Sequence, residues 1–199
     1  MIITKELDEV LFRILTDRNL LNQYDLIETT VRVALKSGQP YKIDKDIICE
    51  LNRTAVRYLC ESAGFYRQQQ VWIKNSEHVP PPHAEVPGLM EQFLSALAAN
   101  WGSDPVELAA YTLWRLCWIH PFAEGNGRTA RAVSYLVLCL NYGVWFHGSQ
   151  TLPKQIRDNR DLYYKALREA DAAWKAGKLD VSAVKTYLAG LLTKQLSGG

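Results

Sequence analysis

His120-Pro121-Phe122-Ala123-Glu124-Gly125-Asn126-Gly127-Arg128-Thr129-Ala130-Arg131 carries the densest chemistry in this chain. An apolar, Trp-rich segment (111–119) leads into it and a second apolar segment (132–140) leaves it. The local order is therefore helix, polar glycine-rich loop, helix. A Gly-Asn-Gly turn opening a helix presents successive backbone N–H groups, with the positive end of the helix dipole behind them, and so makes an anion site. Arg128 and Arg131 are three apart and fall on one side of the new helix, over that same anion. Glu124 adds a hard oxygen ligand suited to Mg²⁺, which needs few carboxylates when phosphate oxygens complete its shell. His120 supplies a group that takes a proton near neutral pH. Phosphate cradle, cations, metal ligand and base within twelve residues imply nucleotide-phosphate transfer.

Outward from that loop, the composition is that of an ordinary globular chain. The 199 residues suit one core, with 48% apolar and 22% charged residues. A formal net charge of +2 points to neither a nucleic-acid partner nor an acidic tail. No run of about eighteen apolar residues occurs and the N-terminus lacks a basic-then-apolar leader, so neither a membrane span nor a secretory signal is expected. Cys49, Cys60, Cys117 and Cys139 lie in apolar helical patterns without CxxC spacing, which implies free thiols in a reducing, cytoplasmic setting.

The rest reads as helices. Leu7, Val10, Leu11, Ile14 and Leu15 keep helical spacing behind a Thr4 cap, giving a first helix over 5–16 with these residues inward. Leu20 to Leu35 continue the period in a second helix that stops at Ser37-Gly38. Asp44 caps a third, running to near Gly64. Gln70 to Asn75 reads as a short strand or hairpin, and the Pro80-Pro81-Pro82 run is extended. Further helices start near Pro87 and, behind the Asp104-Pro105 cap, run to Ile119; others cover 132–142, 152–158, 160–175 and 181–196. The expectation is a single all-α domain with one small β excursion, the helices flanking the loop being the most buried.

The loop resembles the signature of the Fic family, HPFx(D/E)GNGRxxR, at every specified position. The resemblance extends over roughly 44–196, with N-terminal helices about 1–40 beside it. Ala63-Gly64-Phe65-Tyr66-Arg67, then Gln70 to Ile73 and the prolines, resemble the family's AGxYR, flap and PP region; Tyr163-Tyr164-Lys165-Ala166-Leu167 is similar to its YYxAL segment. The resemblance implies a Fic-type helical bundle with a β-hairpin flap and transfer of AMP from ATP to a Ser, Thr or Tyr hydroxyl of a target protein. It implies His120 as base, and Glu124 as ligand of a Mg²⁺ bridging the phosphates. Gly125, Asn126 and Gly127 would bind phosphate through their N–H groups and the Asn126 amide, with Arg128 on the β- and Arg131 on the γ-phosphate. Tyr163 and Tyr164 would either wall the adenine or serve as plain core aromatics, and Asp171 stands where the family often carries Asn. Val71, Trp72 and Ile73 would dock the target by strand addition.

The family's inhibitory (S/T)xxxE(G/N) helix is absent in clear form; Glu28 is its nearest imitation, and would pair with Arg131. Otherwise inhibition would come from an antitoxin-like partner or self-association. Alternatives on the same fold are transfer of another nucleotide, phosphoryl transfer as in the Doc branch (which has Lys where Gly127 stands), removal of AMP, or nucleotide binding without turnover.

Overall fold

A computed structural model describes residues 5–38, 41–74 and 76–198, the side chains of 5–7 excepted. In chain order the helices are α1 (Lys5–Ser37), α2 (Lys45–Val56), a 3₁₀ turn (His83–Glu85), α3 (Val86–Ala99), α4 (Pro105–Ile119), α5 (Asn126–Tyr142), α6 (Leu152–Asp158), α7 (Arg160–Lys175) and α8 (Ser182–Ser197). α4 and α5 form the centre; α1 and α2 cover α5, while α3, α7 and α8 cover α4. Both central helices bury residues around most of their circumference, as their composition requires.

Local chemistry sets most of the boundaries. Asp44 accepts from the Ile47 N–H at 3.0 Å to start α2. Asp104 accepts from Val106 and Glu107 N–H, both at 2.9 Å, to start α4, with Pro105 at the first position. Lys185 of α8 pairs with Asp104 and Glu107, each at 2.9 Å, and ties α8 to that same start. Gly143, left-handed at φ 65°, ends α5.

Three expectations change. The two N-terminal helices are one, because Thr16 to Asn19 contains no Gly or Pro to break the backbone. Asn19 in that stretch and Gln23, one turn further on, are docking groups: Asn19 donates to the Arg57 carbonyl at 2.8 Å and Gln23 to the Leu51 carbonyl at 2.7 Å. The inward face of α1 accordingly begins at Asn19 and runs through Ile27, Val31 and Ala34, whereas Val10, Leu11 and Ile14 are exposed. The Thr4 cap lies outside the described residues, as do the side chain of Leu7 and residue Asn75. α2 stops at Val56, well before Gly64: Tyr58 turns left-handed at φ 63°, and Asn19 takes the Arg57 carbonyl.

The third change is the β excursion. Among the described residues no strand forms; the one β contact is an isolated antiparallel bridge between Tyr66 and Phe122. Residues 70–73 take no regular secondary structure and pair with no strand among the described residues. The opposing limb is Pro80-Pro81-Pro82, which has no N–H to donate to a ladder. Side chains join the limbs instead: Gln70 Nε2 donates to the Pro80 carbonyl at 2.9 Å and Arg67 Nη2 to that of Pro81. The four cysteines are free, Cys49 and Cys139 buried, Cys60 and Cys117 half-buried. No helix among the described residues is long and apolar enough to cross a membrane.

The loop after α5 is held from α8. The Gln195 amide nitrogen donates to Tyr135 Oη at 2.9 Å and the Phe146 carbonyl at 3.0 Å, while its oxygen accepts from the Leu152 N–H at 2.8 Å. Replacing Gln195 by Leu leaves buried polar groups unpaired and is expected to cost about 2 kcal/mol. Urea unfolding measures it; a change within about 0.5 kcal/mol, the range of an ordinary surface substitution, would contradict this role.

Candidate active site

The loop between α4 and α5 is closed by its own side chains. Asn126 accepts from the Phe122 N–H through Oδ1 at 2.8 Å and donates to the Phe122 carbonyl through Nδ2 at 2.7 Å. Both ends of the amide are thus committed to one residue's main chain, and Asn126 is buried. The amide therefore closes the loop, while its second Nδ2 hydrogen and the Asn126 backbone N–H stay uncommitted. Gly125 stands at φ 78°, and a Cβ there would sit 2.5 Å from Val56 Cγ1, so only glycine fits. No side chain caps the start of α5, so its first N–H groups point into the loop without an intrahelical acceptor.

Two residues outside the motif hold it, and neither was singled out for a role from sequence. Asn52 of α2 donates to the Glu124 carbonyl at 2.9 Å and Thr129 Oγ1 at 3.1 Å, and accepts from the Gly64 N–H at 2.9 Å. It is 1% exposed. Arg67, 2% exposed, donates through Nε to the His120 carbonyl at 2.8 Å and through its other nitrogens to the carbonyls of Gln69 and Pro81. Its own N–H donates to the Pro121 carbonyl at 2.9 Å. For Asn52 a sequence signal was present: an Asn inside the apolar face of α2 must find partners when buried.

His120 ends α4 in the left-handed region at φ 53°, its N–H still bonded to the Leu116 carbonyl at 3.0 Å. Its Nδ1 lies 3.3 Å from the Cys117 carbonyl. A carbonyl only accepts, so the proton sits on Nδ1 and Nε2 keeps its lone pair. Burial is the main cause that lowers the His120 pKa to about 4, with nearby His78 and Arg67 adding to it and the Cys117 carbonyl opposing. The ring is a neutral base at pH 7.

Arg128 Nη1 donates to the Ala55 carbonyl of α2 at 2.7 Å, fixing the guanidinium at the start of α5. Arg131 lies over the same backbone: a Cβ on Gly127 would stand 3.3 Å from its Nη1. Among the described residues Arg131 has no ion-pair or hydrogen-bond partner. The Glu124 carboxylate is exposed and unpaired, and no group of three His, Cys, Asp or Glu residues that could hold a metal occurs among the described residues. A single free carboxylate fits Mg²⁺ completed by phosphate oxygens and water, and does not fit a metal caged by protein.

The remaining candidates lie elsewhere or play other parts. Glu28 forms an i,i+4 ion pair with Arg32 at 2.6 Å and not with Arg131. Tyr163 is 3% exposed with its hydroxyl 3.1 Å from Cys117 Sγ, so its face is closed to a nucleobase; Tyr164, 45% exposed, keeps an open ring. Asp171 accepts from Trp114 Nε1 at 2.9 Å. Trp72 of the extended segment is 77% exposed, with Val71 and Ile73 half-buried on either side.

Comparison with known proteins agrees with this geometry. The model of the Fic/DOC family matches residues 42–138. A curated relative from Nematostella vectensis, Protein adenylyltransferase Fic, is 33% identical over 129 residues, 63% of this chain and 28% of its own length. The chain spans about a quarter of the length of the curated relatives it matches. Among solved structures, a Fic family protein from Desulfovibrio desulfuricans G20 superposes with TM-score 0.64 at 25% identity, covering 86% of this chain and 50% of that one. A Fic domain containing signaling protein from Bacteroides thetaiotaomicron gives TM-score 0.72 at 22% identity over 92% of this chain and 71% of that one, and shares the fold.

The state of His120 is directly measurable. ¹⁵N NMR of the imidazoles should show the Nδ1–H tautomer at pH 7 and a titration at about 4. Because the folded value lies below the unfolded one of about 6.5, the unfolded chain binds the extra proton between those values. Stability therefore falls as pH drops from about 6.5 through about 4. Titration at 6.5 or above, or the Nε2–H tautomer, would contradict the assignment.

Proposed function

We propose, on the match of the Fic/DOC family model to residues 42–138, that this chain is a protein adenylyltransferase, moving AMP from ATP to a Ser, Thr or Tyr hydroxyl of a target protein. The observation that carries the reading is the neutral His120, with its lone pair on Nε2, next to an uncapped helix start flanked by two arginines. The target hydroxyl oxygen bonds to the α-phosphorus as its proton passes to His120 Nε2. The bond from the α-phosphorus to the bridging oxygen breaks, and pyrophosphate leaves with that electron pair. The Cys117 carbonyl keeps the other ring nitrogen protonated throughout.

The backbone N–H groups of Gly125, Asn126 and Gly127, with Arg128 and Arg131, take the phosphate oxygens. Glu124 would hold Mg²⁺, which supplies charge neutralisation at the phosphates. Phosphate charge near His120 raises its pKa in the complex, bringing a weak base closer to its working range. The segment Val71-Trp72-Ile73, with Trp72 exposed and its neighbours half-buried, would be the edge to which a target peptide adds as a strand. Because Glu28 is committed to Arg32, restraint of Arg131 falls to a separate inhibitor protein or to self-association. Support for adenylyl transfer over phosphoryl transfer comes from the relatives' activity and from Gly127.

Incubating the protein with α-labelled or γ-labelled ATP and candidate target proteins tests the reading. Label from the α-position should appear on protein and fall roughly a hundred- to ten-thousandfold in His120→Ala. Label from the γ-position alone, or α-label undiminished in the variant, would overturn it.

A further inference from the structure

Next to Arg131 lies a cleft of about 380 Å³ between α1, α5 and α6. Arg128 and Arg131 of α5 and Lys154 and Arg157 of α6 all line it, with Leu20 and Tyr24 of α1 on the opposite wall; no carboxylate lines it. Lys154 and Arg157 are three apart on α6 and so share a side of that helix. Asp158 contacts Lys154 Nζ and Arg157 Nε, both at 3.1 Å, but stays outside the lining, and Gln150 takes a further bond from Lys154 at 2.9 Å. Among the described residues Asp158 and, toward Arg128, Glu124 are the carboxylates that act on these four cations from outside the lining, which leaves the cleft net positive. An apolar wall deepens that potential by excluding water. Bringing like charges together this way costs free energy unless an anion joins them, and Arg131 in particular has no partner among the described residues.

The shape is informative as well as the sign. The cationic track starts at the first turn of α5, where the proposed phosphate cradle is, and continues away from the motif to α6. A ligand that begins in the cradle and carries more negative charge at its far end fits this track, whereas a nucleoside monophosphate has nothing to place there. We propose that Lys154 and Arg157 form, with Arg131, a pocket for the pyrophosphate end of the nucleotide, and hold that group as it departs. This rests on the nucleotide-transfer reading above and adds to it two residues from outside the signature. It makes the site selective for triphosphates over shorter nucleotides.

Calorimetric binding of ATP, AMP and inorganic pyrophosphate to the wild-type chain and to the double variant Lys154→Gln/Arg157→Gln tests it. Both side chains are partly exposed, so the variant should fold, which circular dichroism and thermal melting confirm. Expected is a loss of about ten- to a hundredfold in affinity for ATP and pyrophosphate with AMP binding unmoved. Unchanged pyrophosphate and ATP affinities in the variant would overturn the pocket while leaving nucleotide transfer standing. So would a wild-type chain that binds ATP but not pyrophosphate. Pyrophosphate binding that the variant loses, in a wild-type chain that binds no nucleotide, would uphold the pocket and sink the transfer reading.

Discussion

Everything at the candidate site depends on the amide of Asn126 closing onto the main chain of Phe122 from both sides. That ring of hydrogen bonds fixes the path of the chain between a helix that ends at His120 and one that begins at Asn126. Phe122 is buried beneath it and bridges to Tyr66, so the turn is anchored in the core and does not float over it. Asn52 then holds the Glu124 carbonyl from α2, and Arg67 holds the His120 carbonyl from the segment after Gly64. A loop fixed from three directions has little left to reorganise when an anion arrives. That is the condition under which backbone dipoles stabilise developing charge most effectively.

The electrostatics follow from the same construction. Arg67 is buried on main-chain carbonyls, with no carboxylate beside it to cancel its charge. Arg128 is anchored on another carbonyl, that of Ala55. Two fixed cations, a helix start and Arg131, which has no ion-pair or hydrogen-bond partner among the described residues, give the site a positive potential. Burial within it keeps His120 unprotonated. His78 and Arg67 beside the ring add to the effect of burial, and the Cys117 carbonyl opposes it.

Much of this was legible in the sequence, because the groups concerned are chemically unusual and close together. The Asp104-Pro105 cap, the Gly143 stop and the all-round apolar faces of α4 and α5 are local signals, and they placed the scaffold correctly. What stayed hidden depends on distant partners. The polar stretch inside α1 looked like a break because Asn19 and Gln23 find their acceptors on α2, about thirty residues away and more. The loop-closing part of Asn126 stayed hidden because its bonds to Phe122 are visible only once the loop has folded. Tyr163 and Tyr164 are adjacent and look alike in sequence, yet the turn of α7 buries one and exposes the other. The hairpin failed for want of donors in Pro80 to Pro82, a constraint that alternation of side chains does not reveal.

The central claim is that the motif loop is a preformed anion cradle facing a neutral His120. A crystal structure of the chain with a non-hydrolysable ATP analogue and Mg²⁺ tests it most directly. The account predicts phosphate oxygens within about 3 Å of the main-chain nitrogens at the start of α5, with His120 Nε2 turned toward the α-phosphate and the Asn126–Phe122 bonds intact. A nucleotide bound elsewhere, or a loop that must release Asn126 from Phe122 to receive it, would contradict it.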